Sequence, residues 1–331
     1  MNVSTWVWLV SLAVLVVVLT IDLLIIGRRP HEPSIREASI WTAVYVGLAV
    51  IFGVGLWFVS GSGPAGEFFT GYLTEKSLSV DNLFVFVIIM SRFAVPRVYQ
   101  QKVLMIGIIL ALVMRGGFIA AGTALIERFS FVFYIFGAFL IYTAINLARQ
   151  GEPDAEEFKE NALIRVSRRV LPISRDYHDG KMTDRRHGRL VFTPMLIVMI
   201  AIGTTDLIFA LDSIPAIFGI TQEPYLVFTA NVFALMGLRQ LYFLLGGLLN
   251  RLVYLSYGLA VVLGFIGVKL VLEALADNRL SFVNEGQPVG WAPHIPIWLS
   301  LSVIVGTLAV ATVASLAKSS RDRRRELTKL P

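Results

Sequence analysis

The chain has 331 residues, of which 56% are hydrophobic and only 16% are Asp, Glu, Lys or Arg, and its mean hydropathy is +0.72. In soluble domains roughly a quarter of all residues are charged, so this composition excludes an ordinary water-soluble globular protein. The formal charge is +6, but the basic residues are not interleaved with aromatic residues on a soluble face, and we expect no nucleic-acid partner.

Nine apolar segments follow one another along the chain, each long enough to cross a hydrocarbon core roughly 30 Å thick. They are apolar on all faces, as expected for segments surrounded by lipid and by neighbouring helices. Alternating strands of barrel type are absent from the sequence, so helices are the spanning structure. The sequence therefore predicts an all-α polytopic membrane protein with about nine transmembrane helices in one membrane domain, 1–331. The predicted spans are 6–26, 39–59, 68–91, 102–122, 128–148, 193–217, 225–247, 253–275 and 296–317.

Arginines and lysines are concentrated in every second predicted loop. The long segment 149–189 and the basic tail 318–331 lie on the same side as these loops. The positive-inside rule therefore predicts an N-terminus outside and a C-terminus in the cytoplasm. The 149–189 segment mixes acids with arginines, and we expect a solvated, partly helical cytoplasmic loop.

The chain has no cysteine, and its four histidines all fall in predicted loops. Disulfides, thiolate metal ligands and cysteine nucleophiles are therefore ruled out. Zinc and copper, which favour nitrogen and sulfur ligands, are disfavoured as cargo. The sequence also lacks a serine–histidine arrangement and a Gly-rich phosphate loop, so we expect neither an enzyme nor an ATP-driven pump.

Two predicted spans contain carboxylates. The third includes residues 74–82 (TEKSLSVDN), and the sixth includes residues 204–215 (TTDLIFALDSIP). In each, an acid is followed six residues later by an aspartate and then by a small polar residue. Charged groups in the middle of a membrane are costly, so four acids in two helices indicate a function. The structural alternative is that the acids only hold helices together as ion pairs, with Lys76 neutralising one of them.

The two motifs also suggest an internal repeat. The predicted topology runs the third and sixth spans in opposite directions, as in inverted-repeat transporters whose site lies near the midplane. The fourth and seventh spans each carry one arginine, Arg115 and Arg239, and the fifth and eighth share glycine-containing segments that begin at Gly137 and Gly264. We therefore predict two inverted three-helix repeats, 68–148 and 193–275, with spans 1, 2 and 9 at the periphery.

The spacing of the acids limits how they can share one ion. A step of six residues moves about 9 Å along a helix and about 120° around it, so one motif cannot place both of its acids on one ion. An antiparallel crossing of the two spans would pair Glu75 with Asp212 and Asp81 with Asp206. An all-oxygen ligand set of this kind suits magnesium, calcium or manganese. The supporting neutral oxygens are those of Asn82, Ser213 and Thr205.

Three basic residues are also predicted to lie within the membrane: Arg115, Arg239 and Lys269. We expect them to pair with the acids when no ion is bound, which would keep bare carboxylates from facing each other in a low dielectric. Release of these pairs on metal binding would couple occupancy to conformation. For Lys269, snorkelling to the interface is the alternative.

The segments from Glu75 to Asn82 and from Phe209 to Pro215 resemble the signature pair of the TerC/Alx family of bacterial integral membrane proteins. The resemblance covers nearly the whole chain, including the nine-span layout and the long loop after the fifth span. Although the family takes its name from tellurium resistance, the resemblance implies manganese export and metal homeostasis in the bacterial inner membrane. The metal ligands that it implies by position are Glu75, Asp81, Asp206 and Asp212.

Three functions are consistent with the sequence. The first is a secondary transporter that exports Mn²⁺ or another hard divalent cation, with proton exchange as its coupling. The second is transport of an oxyanion such as tellurite, with Arg115 and Arg239 as ligands. The third is a membrane scaffold or assembly factor that transports nothing. The expected partners are the transported metal ion and the lipid bilayer, with no permanently bound cofactor.

Overall fold

Ten α-helices account for most of the structure, a computed structural model that describes residues 5–27, 34–129, 131–150, 177, 181–186, 189–245, 254–276, 278, 280 and 284–327. The helices are α1 Thr5–Gly27, α2 Ile35–Ser60, α3 Ser62–Arg92, α4 Arg97–Arg128, α5 Val132–Gln150, α6 Pro194–Phe218, α7 Pro224–Leu235, α8 Leu238–Leu245, α9 Leu255–Ala276 and α10 Ile297–Leu327.

Seven helical stretches among the described residues are long and apolar enough to cross a membrane. They are α2, α4 as far as Ile126, α5 as far as Arg149, α6, the stretch Pro224–Leu244 that joins α7 and α8, α9, and α10 as far as Arg321. The set leaves out α1, whose described apolar stretch is Trp6–Val18, and α3, which carries the first acidic motif. The all-α polytopic membrane class is confirmed, and the count of nine spans stays a prediction.

Local sequence signals explain where several helices begin and end. The hydroxyl of Ser34 caps α2 by accepting a hydrogen bond from the backbone N–H of Glu37. Gly61 ends α2 with a φ of 89°, and α3 begins at the next residue. Helices α6 and α7 begin with Pro194 and Pro224. Proline is favourable there, because the first N–H of a helix has no carbonyl partner within the helix.

A two-stranded antiparallel sheet precedes α6. Strand β1, Thr183–Arg186, pairs with strand β2, Arg189–Phe192, and Thr183 lies opposite Phe192. The described end of the predicted loop 149–189 is therefore a hairpin, where a partly helical linker was expected. Apolar residues with strand propensity in β2 favour this conformation. Most of the predicted loop lies outside the described residues.

The predicted seventh span, 225–247, is not one continuous helix. Helix α7 ends at Leu235 and α8 begins at Leu238, and Gly237 between them has a φ of 75°. A residue in the left-handed region cannot continue a right-handed helix, and glycine adopts this conformation without strain. The stretch Pro224–Leu244 remains one candidate span with an interruption, and we call Met236 and Gly237 the helix break.

Helices of the two predicted repeats pack against each other in reciprocal pairs. Helix α3 packs on α6, and α5 packs on α9. Helix α4 of the first repeat contacts α6 of the second, and α7 of the second contacts α3 of the first. These two contacts are equivalent, because α4 corresponds to α7 and α3 corresponds to α6. Inverted repeats give such a pattern. The repeat itself stays a prediction.

A close crossing of α5 and α9 joins two glycines. A Cβ atom on Gly137 would lie 2.9 Å from the carbonyl oxygen of Gly267, and a Cβ on Gly267 would lie 2.9 Å from that of Gly137. The structure thus places Gly267 opposite Gly137, where the sequence comparison had used Gly264. Gly264 faces the Cβ of Ala144 at an ordinary 3.5 Å, so its missing side chain is not what permits the crossing.

We expect Gly267→Ala to lower the free energy of unfolding by about 1–3 kcal/mol, because a well-packed crossing cannot take an added methyl without a backbone shift. That methyl would lie 2.9 Å from the Gly137 oxygen and 3.0 Å from the Ile141 nitrogen, both of them backbone atoms. Thermal melting of the detergent-solubilised protein measures the loss. Gly264→Ala is the matched control on the same helix, and an equal loss in both variants would contradict the prediction.

Candidate functional site

Glu75 of α3, Arg115 of α4 and Asp206 of α6 meet in the interior, where their exposed fractions are 0%, 1% and 3%. Nη1 of Arg115 donates a hydrogen bond to Oε2 of Glu75 at 2.6 Å, and Nη2 of Arg115 lies 3.6 Å from Oδ1 of Asp206. The first contact is a charge-assisted hydrogen bond, and the second is an ion pair beyond hydrogen-bond distance. We call these three side chains the buried triad.

Helix packing brings the triad together. Helix α6 packs on both α3 and α4, so residues from all three helices face one point. Gly203, three residues before Asp206, allows the approach of α4, because a Cβ there would lie 2.6 Å from Cδ2 of Leu110. The guanidinium of Arg115, on α4, lies between the two acids.

The triad leaves several of its polar atoms without a hydrogen-bond partner among the described residues. These atoms are Oε1 of Glu75, Oδ2 of Asp206, and Nε and Nη2 of Arg115. Two carboxylates and one guanidinium also carry one net negative charge when all three are ionised. A buried carboxylate oxygen without a partner is unfavourable, and a nearby cation would relieve it. The triad is therefore chemically suited to receive a cation.

The second acid of each motif lies six residues further along its helix. Asp81 is in α3 and Asp212 is in α6, but their side chains fall outside the described part of the structure. Among the described side chains, no group of three or more His, Asp and Glu is placed to hold a metal ion. Glu75 and Asp206 are two members of the predicted set of four, whose role as ligands stays a prediction.

The neutral residues predicted to support the site are buried: Asn82, Thr205 and Ser213. The hydroxyl of Ser213 has no hydrogen-bond partner among the described residues, as is true of Ser79 in the first motif. These hydroxyl groups, close in sequence to the acidic residues, can supply further oxygen ligands to a bound cation.

The structure brings together the first acids of the two motifs. Glu75 and Asp206 share the guanidinium of Arg115, while the expected pair of Glu75 with Asp212 involves a side chain outside the described part of the structure and stays a prediction. Helices α3 and α6 pack against each other, and corresponding residues of the two motifs reach the same arginine.

The other two predicted cations are buried on later helices. Arg239 is buried at the second position of α8, directly after the helix break. Lys269 is buried in α9, and its Nζ lies 3.5 Å from Oε1 of Glu273, one turn along the same helix. Arg115 is thus the predicted cation that joins the triad.

Lys76 has a role that the sequence did not indicate. Its Nζ donates hydrogen bonds to the backbone oxygens of Ala234 at 3.0 Å and Met236 at 2.9 Å. These oxygens lie at the C-terminal end of α7, where helix carbonyls lack intrahelical partners. Gly237 within an apolar span was the signal in the sequence that could have located this break.

Helices around a buried charged triad define a polytopic helical membrane protein with an intramembrane ionic site. The chain belongs to the TerC family: the sequence model described as "Integral membrane protein TerC family" matches residues 60–323, which include both acidic motifs and the triad. The resemblance inferred from the two motifs is therefore confirmed.

Several bacterial proteins are similar to this chain over most of its length. An uncharacterized membrane protein of Mycobacterium tuberculosis is 50% identical over 318 residues, which cover 95% of this chain and 80% of the relative. An uncharacterized membrane protein of Myxococcus xanthus is 40% identical over 316 residues, with 96% and 93% covered. An Escherichia coli relative named "Putative membrane-bound redox modulator Alx" is 39% identical over 309 residues, 91% of each chain. No solved structure matches the chain.

Proposed function

We propose that this protein is a secondary transporter that exports a hard divalent cation, with Mn²⁺ as the first candidate. The observation that carries the proposal is the buried triad. Two carboxylates on different helices share one guanidinium, and each retains an oxygen without a hydrogen-bond partner among the described residues. Oxygen donors of this kind suit hard cations. The preference for manganese comes from the resemblance to the TerC/Alx family.

The charge of the predicted site also favours a divalent ion. The four acids of the two motifs, with Arg115 and Arg239, leave two net negative charges when all are ionised. Lys269 pairs with Glu273, and Lys76 faces backbone oxygens, so neither lysine enters this balance. One divalent cation would neutralise the site, which is favourable in a low dielectric.

Exchange between the guanidinium and the metal gives a route to conformational change. A cation that binds Glu75 and Asp206 competes with Arg115, because all three charges meet at one point. Displacing Arg115 would alter how α4 packs on α6. A ligand shifts a conformational equilibrium by its differential affinity for the two states, and this exchange supplies such a difference. Protons that reach the same carboxylates would provide the coupling.

The two other functions fit the triad less well. An oxyanion would need Arg115, whose guanidinium is already bound by two carboxylates that would repel it. A purely structural lock would be expected to satisfy its buried polar atoms, since native networks rarely leave several unpaired. The triad leaves both acids partly unpaired among the described residues.

The name of the Escherichia coli relative refers to redox modulation. This chain has no cysteine, so it cannot perform thiol–disulfide exchange itself. We therefore propose that this protein acts by transporting an ion and not by thiol chemistry of its own. We also propose that it lies in the bacterial inner membrane with its C-terminus in the cytoplasm.

Flux measurements in proteoliposomes test the proposal. We expect wild-type protein to move Mn²⁺, and Asp206→Asn to move it at least about 10-fold more slowly, since even indirect changes at a metal site often cost that much. Mg²⁺, Ca²⁺ and tellurite are compared in the same assay. The control is Glu285→Gln, which alters an exposed acid outside the spanning helices.

The outcomes separate the candidate functions. Each variant is first shown to melt cooperatively, so that a loss of flux cannot be caused by unfolding of the protein. Tellurite flux in place of cation flux would support the oxyanion function. Absence of any cation flux in folded wild-type protein would favour the scaffold.

A further inference from the structure

The helix break leaves backbone oxygens at the end of α7 for a donor from another helix. Helix α7 ends at Leu235, and its last carbonyls cannot all find partners within the helix. This end of a helix also carries a partial negative charge. The oxygens of Ala234 and Met236 therefore form a small site that favours a cation able to donate hydrogen bonds.

The cation present is the ammonium group of Lys76. It lies within 3.0 Å of both oxygens, and the side chain comes from α3, which packs on α7. An ammonium group has three donors, and two of them are used in these bonds. The contact thus joins a helix of the first predicted repeat to the break in the second.

We infer that the oxygens of Ala234 and Met236 constitute a monovalent-cation site and that Lys76 is its permanently tethered occupant. In discontinuous helices of transporters, unwound carbonyls and half-helix C-terminal ends commonly coordinate a coupling ion such as Na⁺. Here a covalently attached ammonium group takes that position. The site therefore needs no free Na⁺ or K⁺ to hold the break in place.

The position of Lys76 gives the site a consequence for transport. Lys76 directly follows Glu75 of the triad, and Arg239 lies three residues after Met236. Fixing the break fixes the start of α8, and with it the backbone that carries Arg239. The transport consequence rests on the proposed function, but the cation site does not.

Loss of the lysine side chain should open the site to a free cation. We expect purified Lys76→Ala to melt at a higher temperature in methylammonium chloride than in tetramethylammonium chloride of equal ionic strength, by about 3 °C when the site is largely occupied. Methylammonium carries N–H donors, and tetramethylammonium carries the same charge without them. Na⁺ and K⁺ are tested alongside and should stabilise the variant in the same direction.

Wild-type protein and Lys102→Ala are the controls. The wild-type site is filled by Lys76, and Lys102 is an exposed lysine of α4, so neither protein should distinguish the two ammonium salts. Lys76→Met is measured as a second variant that keeps the apolar stem. Equal melting of both Lys76 variants in all salts would overturn the inference, and so would variants that remain unfolded in methylammonium.

A flux measurement separates this inference from the proposed function. Wild-type Mn²⁺ flux should be the same with Na⁺, K⁺ or N-methylglucamine as the monovalent cation. Lys76→Ala should transport at least about 3-fold faster with Na⁺ or K⁺ than with N-methylglucamine, the ratio expected for a site filled mostly by the smaller ions. Absence of Mn²⁺ flux in wild-type protein would count against the proposed function and leave the melting result intact. Wild-type flux that requires Na⁺ would overturn the inference itself.

Discussion

Arg115→Met should lower the free energy of unfolding by about 3–5 kcal/mol, the cost expected when one partner of a buried ion pair is removed. Methionine fills much of the volume of arginine, so the change tests charge more than packing. Glu75 and Asp206 would remain buried at 0% and 3% exposure with no guanidinium between them. Chemical denaturation of the detergent-solubilised protein in a metal chelator measures the loss.

Mn²⁺ should restore much of this stability. If the triad is a metal site, a divalent cation can replace the missing guanidinium, and binding to the folded state alone raises stability by mass action. The difference in melting temperature between Mn²⁺ and chelator should therefore be larger in Arg115→Met than in wild-type protein. Arg128→Met, at the exposed end of the same helix, is the control and should show the wild-type difference.

Neutralising all three members of the triad distinguishes charge from shape. The combination of Glu75→Gln, Arg115→Met and Asp206→Asn removes the uncompensated acids, so we expect it to be more stable than Arg115→Met alone and insensitive to Mn²⁺. A destabilised Arg115→Met with no response to Mn²⁺ would contradict a metal site and favour a structural role for the acids, and an Arg115→Met as stable as wild-type protein would contradict the expected loss itself.

Hydropathy located the helices because burial in lipid selects long apolar runs. The predicted spans 193–217 and 253–275 agree closely with α6 and α9. Helices α3 and α4 extend beyond the predicted spans 68–91 and 102–122, since α3 begins at Ser62 and α4 runs from Arg97 to Arg128. Backbone hydrogen bonds continue a helix into polar sequence, where hydropathy no longer marks it.

The motifs identified which residues share the site but not their partners. Glu75, Asp206 and Arg115 were all candidates from sequence, because charged residues are rare in spans. Which acids meet one guanidinium depends on the rotation and crossing of three helices, which periodicity along one helix does not determine. The sequence therefore did not indicate that Glu75 and Asp206 share one arginine.

The helix break was missed for a related reason. Residues 225–247 are apolar enough on average to predict one span, and a change of direction over two residues leaves that average unchanged. The polar consequence of the break appears on another helix, where Lys76 reaches the freed carbonyls. Only the three-dimensional contact shows that this lysine and Gly237 belong to one feature.

Gly237→Ala should be the most damaging small substitution at the break, with an expected loss of about 2–4 kcal/mol in the free energy of unfolding. A side chain at a φ of 75° adds backbone strain. Its Cβ would also lie 2.9 Å from Cδ2 of Tyr45, a buried residue whose ring stacks on Trp41. Thermal and chemical unfolding in detergent measure the sum of the two effects.

Gly237→Asn separates strain from steric conflict. Asparagine tolerates the left-handed region better than alanine but brings the same Cβ towards Tyr45, so it should recover about 1 kcal/mol of the loss. Gly55→Ala is the control, because a Cβ there has nothing within 4 Å. If Gly237→Ala is as stable as wild-type protein, the helix straightens without cost, and the carbonyls of Ala234 and Met236 are not held open by the fold. If it is destabilised as expected, glycine is what maintains the break from which Lys76 and Arg239 take their positions.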